Sequence, residues 1–559
     1  MSQYNLINPG FAFLFETYLF IYLFNSNLLA GRLPIYNLMK RSNKKMTLWV
    51  IGAIVLVLLI VALVLVVKTY TYPFQKHKER TAVLLSDTSI SEKSLLRFAG
   101  GIRIPTVSEV IDREGPDNPF DRFKAYLPEV YPEIYATMDT LTINGHGLVL
   151  RWQGKNRAKK PLLFLSHYDV VPVVGYEDVE DVSGEQIFEP DDARALPIDD
   201  YQTKWDYLPF SGAVTNGRIY GRGTLDMKGM LFGLLEAADA LIAEGFQPEQ
   251  DIWFAFGFDE EIGGLKGALK IAEYFKQEGI TFDGVYDEGG IIAAPGLGGI
   301  DAPLALVGMA EKGFCTLRLN VYGMGGHSSM PPAKGSLVLA AEIIQKLNDN
   351  QMPLKLIPPV SGFLDRAGSS MGFVSRMAIA NKWLLKDQLL STLSKNSATN
   401  ALVRTTTAIT MAKSSDAANV LSSVTEVVVN FRILTGESVQ MVIDHVKEIC
   451  EGYDVEIEVV NTREPSHLSP ENSAGYRIIE QTLAKIYPDA MVTPYVTIGG
   501  TDAYKYEIVS DYVYRLMPVY LNEYEQRTIH NENEHISIDN FAKMIAYFKE
   551  VMRGFERVE

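Results

Sequence analysis

A chain of 559 residues with a formal net charge of −16 is longer than one hydrophobic core serves, so at least two domains are expected. Residues 1–70 hold six Lys and Arg against Glu16 alone, which leaves the remainder more acidic still and argues against nucleic acid as a partner. Two cysteines, Cys315 and Cys450, exclude a disulfide framework and a thiolate zinc site.

The first strong element is Met46–Val67, 22 residues without a charge. As a helix it spans roughly 33 Å, enough for a bilayer core of about 30 Å. It is apolar on every face, which a soluble core helix of this length rarely is. Lys40, Arg41, Lys44 and Lys45 precede it. The positive-inside rule therefore places residues 1–45 in the cytoplasm and the body outside it. Phe11–Ala30 is a second apolar stretch, broken by Glu16, Asn25 and Asn27. A start at Met39 would remove it and leave a signal-anchor. Residues 68–90 read as a polar tether.

From about Ser91 the chain reads as globular. Leu148-Val149-Leu150 and the continuous run Leu162–Leu165 read as strands, the second one buried. That run ends in Ser166-His167-Tyr168-Asp169-Val170-Val171-Pro172. The acidic stretch Glu177–Asp206 lacks periodicity and reads as a long solvated loop at the rim of a site. Gly221-Arg222-Gly223-Thr224-Leu225-Asp226-Met227-Lys228-Gly229 then opens a helix running to Glu244. Its apolar residues Leu231, Leu234, Leu235, Ala238, Leu241 and Ile242 recur at helical spacing. Asp226 stands where an N-cap would. Asp251–Phe258 reads as a strand ending in Asp259-Glu260-Glu261, and a helix over 265–277 follows. Phe282–Tyr286 reads as a strand ending in Asp287-Glu288-Gly289-Gly290. Strands alternating with helices, with polar residues at the strand ends, predict a doubly wound α/β sheet whose site lies at its carboxyl edge.

Around residue 308 the pattern changes. Cys315–Tyr322 alternates, Gly325-Gly326-His327-Ser328-Ser329 follows, and a helix spans about Ser336–Asn348. Residues 355–400 read as irregular, with weak helical stretches. Ala408–Met411 and Thr425–Ile433 are strand-like, and Val439–Glu451 is helical. This reads as a small α+β domain at 308–465, inserted into a catalytic domain made of 91–307 and 466–559. The second part holds a helix over Ala474–Ile486, the turn Gly499-Gly500-Thr501-Asp502, the loop around His530 and a last helix over about Asn540–Val551.

The polar strand ends collect two imidazoles and four carboxylates: His167, Asp226, Glu260, Glu261, Asp287 and His530. A borderline ion such as zinc takes N and O ligands of this kind. Two adjacent ions repel, so one shared carboxylate between them is useful, with about two further ligands each and a position left for water. Five residues fill that count. The remaining Glu is what a hydrolase needs as general base. Each residue alone has a plainer reading, as a core histidine, a solvated strand end or a turn cap.

Seven motifs occur in order: HYDVVP, WDYLPFSG, GRGTLDMKG, DEEIGG, DEGG, GGHSSMPP and IHNENE. Together they resemble the two-zinc aminoacylase/carboxypeptidase metallopeptidase family over about Ser91 to the C-terminus. NALVRTTTA at Asn400–Ala408 and VVNFRI at Val428–Ile433 point to its carboxypeptidase S and N-fatty-acyl-amino-acid synthase/hydrolase branch. The resemblance implies two zinc ions bridged by Asp226, with His167 and Asp287 on one and Glu261 and His530 on the other. It implies Glu260 as general base, Asp169 orienting His167, and His327 stabilising the oxyanion, in some members across a dimer. Asn419 and Arg432 match positions that hold the substrate carboxylate or line its pocket, and the Gly499-Gly500-Thr501 turn matches a backbone cradle for it. The peptide bond after Asp226 is expected to be cis. The acidic stretch is longer than the family's usual link, and a membrane anchor is not general there.

The resulting expectation is a membrane-anchored dizinc amidohydrolase with an inserted lid or dimerisation domain. Its substrate would be a short peptide, cleaved as by a carboxypeptidase, or an N-acyl amino acid. Both place an amide beside a free carboxylate. A catalytically silent, membrane-tethered binding protein is the competing expectation.

Overall fold

The computed structural model describes residues 44–74, 90–112, 115, 117–175, 183–190, 204–297 and 300–555. The apolar stretch at 11–30, most of the tether and most of the acidic stretch beginning at Glu177 lie outside the described residues. The chain divides into two units: Met1–Gln75 with Met371–Leu389, and Lys76–Ser370 with Leu390–Glu559.

In the first unit a helix covers Lys44–Thr71. Its stretch Leu48–Thr71 is long and apolar enough to cross a membrane. Every side chain from Leu48 to Ile60 is exposed, so no core formed by the described residues accounts for this run of apolar residues.

The second unit is built on a large mixed sheet. Its first strands in the chain are Asp139–Ile143 (β1), Gly147–Trp152 (β2), Leu162–His167 (β3), Ile252–Gly257 (β4) and Gly284–Asp287 (β5). Their spatial order is β1-β2-β4-β3-β5, continued by Val513–Arg515 and Leu304–Glu311. β3 runs parallel to β4 and β5, whereas β2 is antiparallel to both β1 and β4. The unbroken apolar run in β3 follows from burial on both faces. Leu162 and Phe164 join a core with Leu234 and Phe548, from the helices Lys228–Ala243 and Ile538–Gly554. Leu163 and Leu165 join a second core with Ile271 and Phe275 of the helix Ala268–Gln277. Parallel β3, β4 and β5 therefore end at one edge, and the motifs that follow them are brought side by side.

A smaller antiparallel sheet has the order Thr406–Lys413, Val424–Ile433, Gly313–Tyr322, Val455–Arg463. Cys315, Leu317, Leu319 and Val321 alternate into its own core, where they meet Ile343 and Val446 of the helices Ser336–Asp349 and Val439–Ile449. In the chain this sheet falls between Leu304–Glu311 and Met491–Thr497, two strands that pair in the large sheet.

Three local features differ from the sequence reading. Residues expected to be irregular with weak helical stretches form the distinct helices Pro358–Ala367, Phe373–Ala380, Lys382–Leu393 and Ser397–Val403. Each is too short to show a long apolar period, and burial of residues such as Val360 and Leu364 holds them. The helix expected from 265 begins at Ala268 because the Asp259 carboxylate takes the N–H groups of Lys266 and Gly267, each at 2.7 Å. Val455–Arg463 is a strand that charged and polar side chains conceal, since its Glu456 and Glu458 stand on an edge and pair with Tyr322 and Arg318.

Gly290 lies where strands crowd the end of β5. A Cβ there would come 1.9 Å from Leu306 O and 2.7 Å from Arg515 O. Both are backbone atoms of sheet strands and cannot swing aside. Gly290→Ala is expected to cost about 3 kcal/mol, measured as a lower denaturant midpoint at unchanged slope; an unaltered midpoint would contradict this packing.

Candidate metal centre

β3 delivers His167 to the sheet edge at 1% exposure. Its Nδ1 faces the backbone carbonyl of Asp169 at 3.0 Å and the carboxylate Oδ1 at 3.3 Å. A proton on Nδ1 is thereby satisfied, which leaves Nε2 as the nitrogen with a free lone pair. The fully buried Asp169 carboxylate also accepts the N–H groups of Glu260 and Glu261, each at 3.1 Å, and the Ser108 hydroxyl at 2.9 Å. One carboxylate therefore ties the motif after β3 to the motif after β4.

Asp226 does not cap the helix that follows it. Met227 occupies that position, without a side-chain cap bond. The Asp226–Met227 peptide is cis, as expected. The loop before it wraps around Glu534, which is fully buried. Glu534 accepts from Arg222 Nη1 at 2.7 Å and from the N–H groups of Gly223, Leu225 and Asp226 at 3.0, 2.9 and 3.2 Å. Gly223 has φ +91°, a region closed to most side chains. Lys228, also fully buried, donates to Gly101 O and Ile104 O at 3.1 and 2.6 Å, and burial pulls its ammonium down to about 7.

The Asp226 carboxylate stands between two imidazoles. Oδ1 lies 3.1 Å from His167 Nε2, and Oδ2 lies 2.8 Å from His530 Nε2. Glu288 Oε1 approaches His167 Nε2 at 3.4 Å, and Glu261 Oε1 approaches His530 Nε2 at 3.2 Å. Two groups result, His167–Asp226–Glu288 and Asp226–Glu261–His530, in each of which the ligand atoms lie within 4.8 Å of one another. Asp226 is common to both.

Asp287, expected in the first group, stands outside it. It is the last residue of β5, and successive side chains of a strand point to opposite faces. Its Oδ1 accepts the N–H of Glu288 at 2.9 Å, and its Oδ2 is buried without a hydrogen bond among the described residues. The next residue, Glu288, turns into the group. The DEGG motif contained this signal, since it offers two adjacent acids. Glu534 was also within reach of the sequence, as the last acid of IHNENE.

Buried acids outnumber the imidazoles in this region. Burial, and then the neighbouring Asp226, push Glu288 up to about 8. Burial, and then Asp502, push Asp287 up to about 7. Burial raises Glu261 too, and lifts Glu260 well above the ordinary carboxylate range. Burial also opposes the charge on Asp226, but hydrogen bonds from His167 and His530 outweigh it and hold this carboxylate below its ordinary value. Burial disfavours protonated His167, yet Asp169 and Asp226 raise it well above the usual imidazole. Glu261 Oε1 is buried, and among the described residues only the His530 ring nitrogen, at 3.2 Å, approaches it. Clustered N and O donors and an excess of buried carboxylate together fit two divalent cations.

The other expected residues fall into two places. His327 and Asn419 meet on a small two-stranded ribbon, where Ser328 N donates to Asn419 O at 3.1 Å and His327 pairs with Val420. Both are exposed, and His327 Nδ1 lies 2.8 Å from Ser329 Oγ. Arg432 stands over Phe314 at 5.9 Å, and Arg463 stands over the same ring at 5.8 Å. Among the described residues no carboxylate lies within ion-pair distance of Arg432, and burial, then Arg463, lower its pKa. Arg463 borders Gly500, where a Cβ would lie 3.7 Å from its Nη2. Gly499 and Gly500 are exposed. Thr501 instead turns inward, its hydroxyl 2.5 Å and its N–H 3.3 Å from Glu311, so both donors are already committed. Gly368-Ser369-Ser370-Met371-Gly372 fits the pattern of a serine nucleophile elbow. It lies on a 3₁₀ turn between two helices rather than between a strand and a helix, so that chemistry has no scaffold there.

The model of peptidase family M20/M25/M40 matches residues 195–554. N-fatty-acyl-amino acid synthase/hydrolase PM20D1 of Xenopus tropicalis is 32% identical over 513 residues, which cover 90% of this chain and 94% of that protein. Probable carboxypeptidase S-like 2 of Dictyostelium discoideum is 30% identical over 480 residues, 85% of this chain and 86% of that one. In fold, the chain resembles the M20 family metallo-carboxypeptidase Sso-CP2 from Sulfolobus solfataricus, with a TM-score of 0.58 at 19% identity over 84% of this chain and 100% of that one. The chain belongs to peptidase family M20/M25/M40, and it is a metal-dependent hydrolase of that family.

Proposed function

We propose that this protein is a membrane-anchored dizinc hydrolase that cleaves an amide bond next to a free carboxylate, acting as a carboxypeptidase on short peptides. The observation that carries the reading is Asp226, whose two oxygens face two separate imidazole–carboxylate groups. His167 and Glu288 would hold one zinc ion, Glu261 and His530 the other, with Asp226 between them. Glu288 replaces Asp287 in this assignment. Bound there, the ions would acidify a water and polarise the amide carbonyl.

The chain's own groups do the rest. Arg432, which has no acidic partner among the described residues, is suited to the substrate carboxylate, with Gly499 and Gly500 offering exposed backbone nearby. Glu260 takes a proton from the attacking water at a carboxylate oxygen and passes it to the leaving nitrogen. Its burial suits this task, because a carboxylate held above its ordinary range accepts a proton more readily. Asp169 keeps His167 oriented and pins the Glu260–Glu261 turn. His327 and Asn419 approach from the two-stranded ribbon, of this chain or of a second copy, and His327 stabilises charge on the carbonyl oxygen. The helix Leu48–Thr71 crosses the membrane, and the basic residues before it place the catalytic body on the extracytoplasmic side.

A second reading, hydrolysis or synthesis of N-acyl amino acids, is favoured by the likeness to the Xenopus protein over nearly its whole length. A panel of dipeptides and N-fatty-acyl amino acids, followed by released amino acid, separates the two. Release from acyl conjugates alone would select the second reading. Release from neither by zinc-loaded protein would leave the tethered binding protein. Glu260→Ala is expected to retain both ions and to lose about 10²–10⁴ in turnover; a near-normal rate would exclude Glu260 as base.

Metal analysis tests the ligand assignment. Glu288→Gln is expected to lose one of the two ions, Asp287→Asn to keep both, and Asp226→Ala to lose both. A full complement in Asp226→Ala would refute the bridge, and loss in Asp287→Asn with retention in Glu288→Gln would return Asp287 to the ligand set in place of Glu288.

Protons report on the same site. Without metal, His530 is lifted to about 10 by its hydrogen bonds to Asp226 and Glu261, and His167 is raised as well. A raised imidazole carries its proton at pH 7 and must shed it to bind a cation, so affinity falls as pH falls. Zinc added to chelator-stripped protein at pH 7 is expected to release about two protons per chain or more. A pH-stat trace showing no release would contradict it.

A further inference from the structure

We propose that residues 371–389 form a second membrane contact, an interfacial segment seated in the lipid headgroup layer where the N-terminal helix leaves the bilayer. This rests on the reading of Leu48–Thr71 as a membrane span and goes beyond it.

The segment packs on the end of that helix. Asn381, fully buried, donates from Nδ2 to Leu65 O at 3.1 Å, to Thr69 Oγ1 at 3.4 Å and to Met377 O at 2.9 Å. The Tyr70 and Phe373 rings lie 5.9 Å apart, and Lys68 Nζ lies 5.2 Å from the Trp383 ring. Leu65 to Tyr70 are the last turns of the helix, so the segment meets it at the end from which the body continues. Whatever covers the exposed Leu48–Ile60 surface continues onto this segment.

Its outward side chains match that surroundings. Phe373, Trp383 and Leu384 are 37%, 61% and 45% exposed. Three large apolar side chains on 19 residues are a costly surface to leave in water. Arg376, Lys382 and Lys386 stand among them, with stems that lie along apolar surface and heads that reach lipid phosphates. Trp, Tyr and Lys at one level are the residues that favour the interface between hydrocarbon and water. Short helices of this composition, Phe373–Ala380 and the start of Lys382–Leu393, lie in that layer with the apolar side down. The occupant is therefore the bilayer itself. A protein partner would have to cover Trp383 beside a helix end that lipid already surrounds.

The test uses the full chain, zinc-loaded, in phosphatidylcholine vesicles. Both native cysteines are buried, so a thiol introduced by Leu384→Cys takes an environment-sensitive nitrobenzoxadiazole label selectively. Leu59→Cys marks the span, and Met411→Cys, on an exposed strand of the smaller sheet, marks water. Phosphatidylcholine spin-labelled near the top of its acyl chain is expected to quench more than about half of the emission at 384 while leaving 411 nearly unchanged. Quenching at 59 but not at 384 would overturn the inference and leave the anchor intact. Absence of quenching at 59 would remove the anchor, and this inference with it. Quenching at 384 with Trp383→Asp in place, equal to that without it, would also count against the role given to these side chains.

Discussion

The carboxylate of Glu534 sits in the interior, and four donors converge on it from the Gly221–Asp226 loop. A buried carboxylate without partners is expensive, and the same carboxylate with three backbone N–H groups and a guanidinium is not. The loop and the C-terminal segment, 308 residues apart along the chain between Asp226 and Glu534, therefore have to assemble together. The same contact sets the backbone of Asp226 and, four residues before Glu534, brings in His530. The 2.8 Å approach of His530 to Asp226 depends on it. Asp169 plays the corresponding part on the other side, joining His167 to the Glu260–Glu261 turn.

Two buried acidic regions lie close together and behave oppositely. At Glu311, burial opposes the charge, but Arg515 and Arg463 outweigh it and hold the carboxylate below its ordinary value. Arg515 Nε lies 2.6 Å away and Arg463 Nη1 2.8 Å, so that charge is already neutralised and serves the scaffold. Around Asp226 the imbalance persists, and Glu260, Glu261, Asp287 and Glu288 are all raised. A fold tolerates such a cluster when cations belong in it. The difference between paired and unpaired acids separates the scaffold from the site without reference to any relative.

Much of this site was readable because its residues fall at the ends of recognisable strands. His167 follows an unbroken apolar run, Glu260 and Glu261 follow another, and parallel strands necessarily end at one edge. What the run of letters could not decide was orientation. Asp287 and Glu288 are neighbours of the same chemical type, and only the pleat determines which of them faces the imidazole of His167. Thr501 looked like part of an open turn, but its hydroxyl and N–H are taken by Glu311. Arg463 carries no signal in the sequence because it ends a strand whose exposed acids conceal its period.

The sequence by itself determined the apolar helix before the body, the alternating strands and helices, the inserted alternating pattern from Cys315 to Tyr322, and a set of metal-binding residue types at strand ends. Those are local properties, carried by hydropathy, spacing and side-chain chemistry within a few residues. The tertiary structure alone decided that Asp226 faces two imidazoles rather than capping its helix, that Glu288 and not Asp287 enters the cluster, and that Asn381 meets Leu65 and Thr69. Each of these is settled by direction and by contacts between residues tens to hundreds of positions apart, and neither direction nor long-range contact is encoded in the period of a single chain segment.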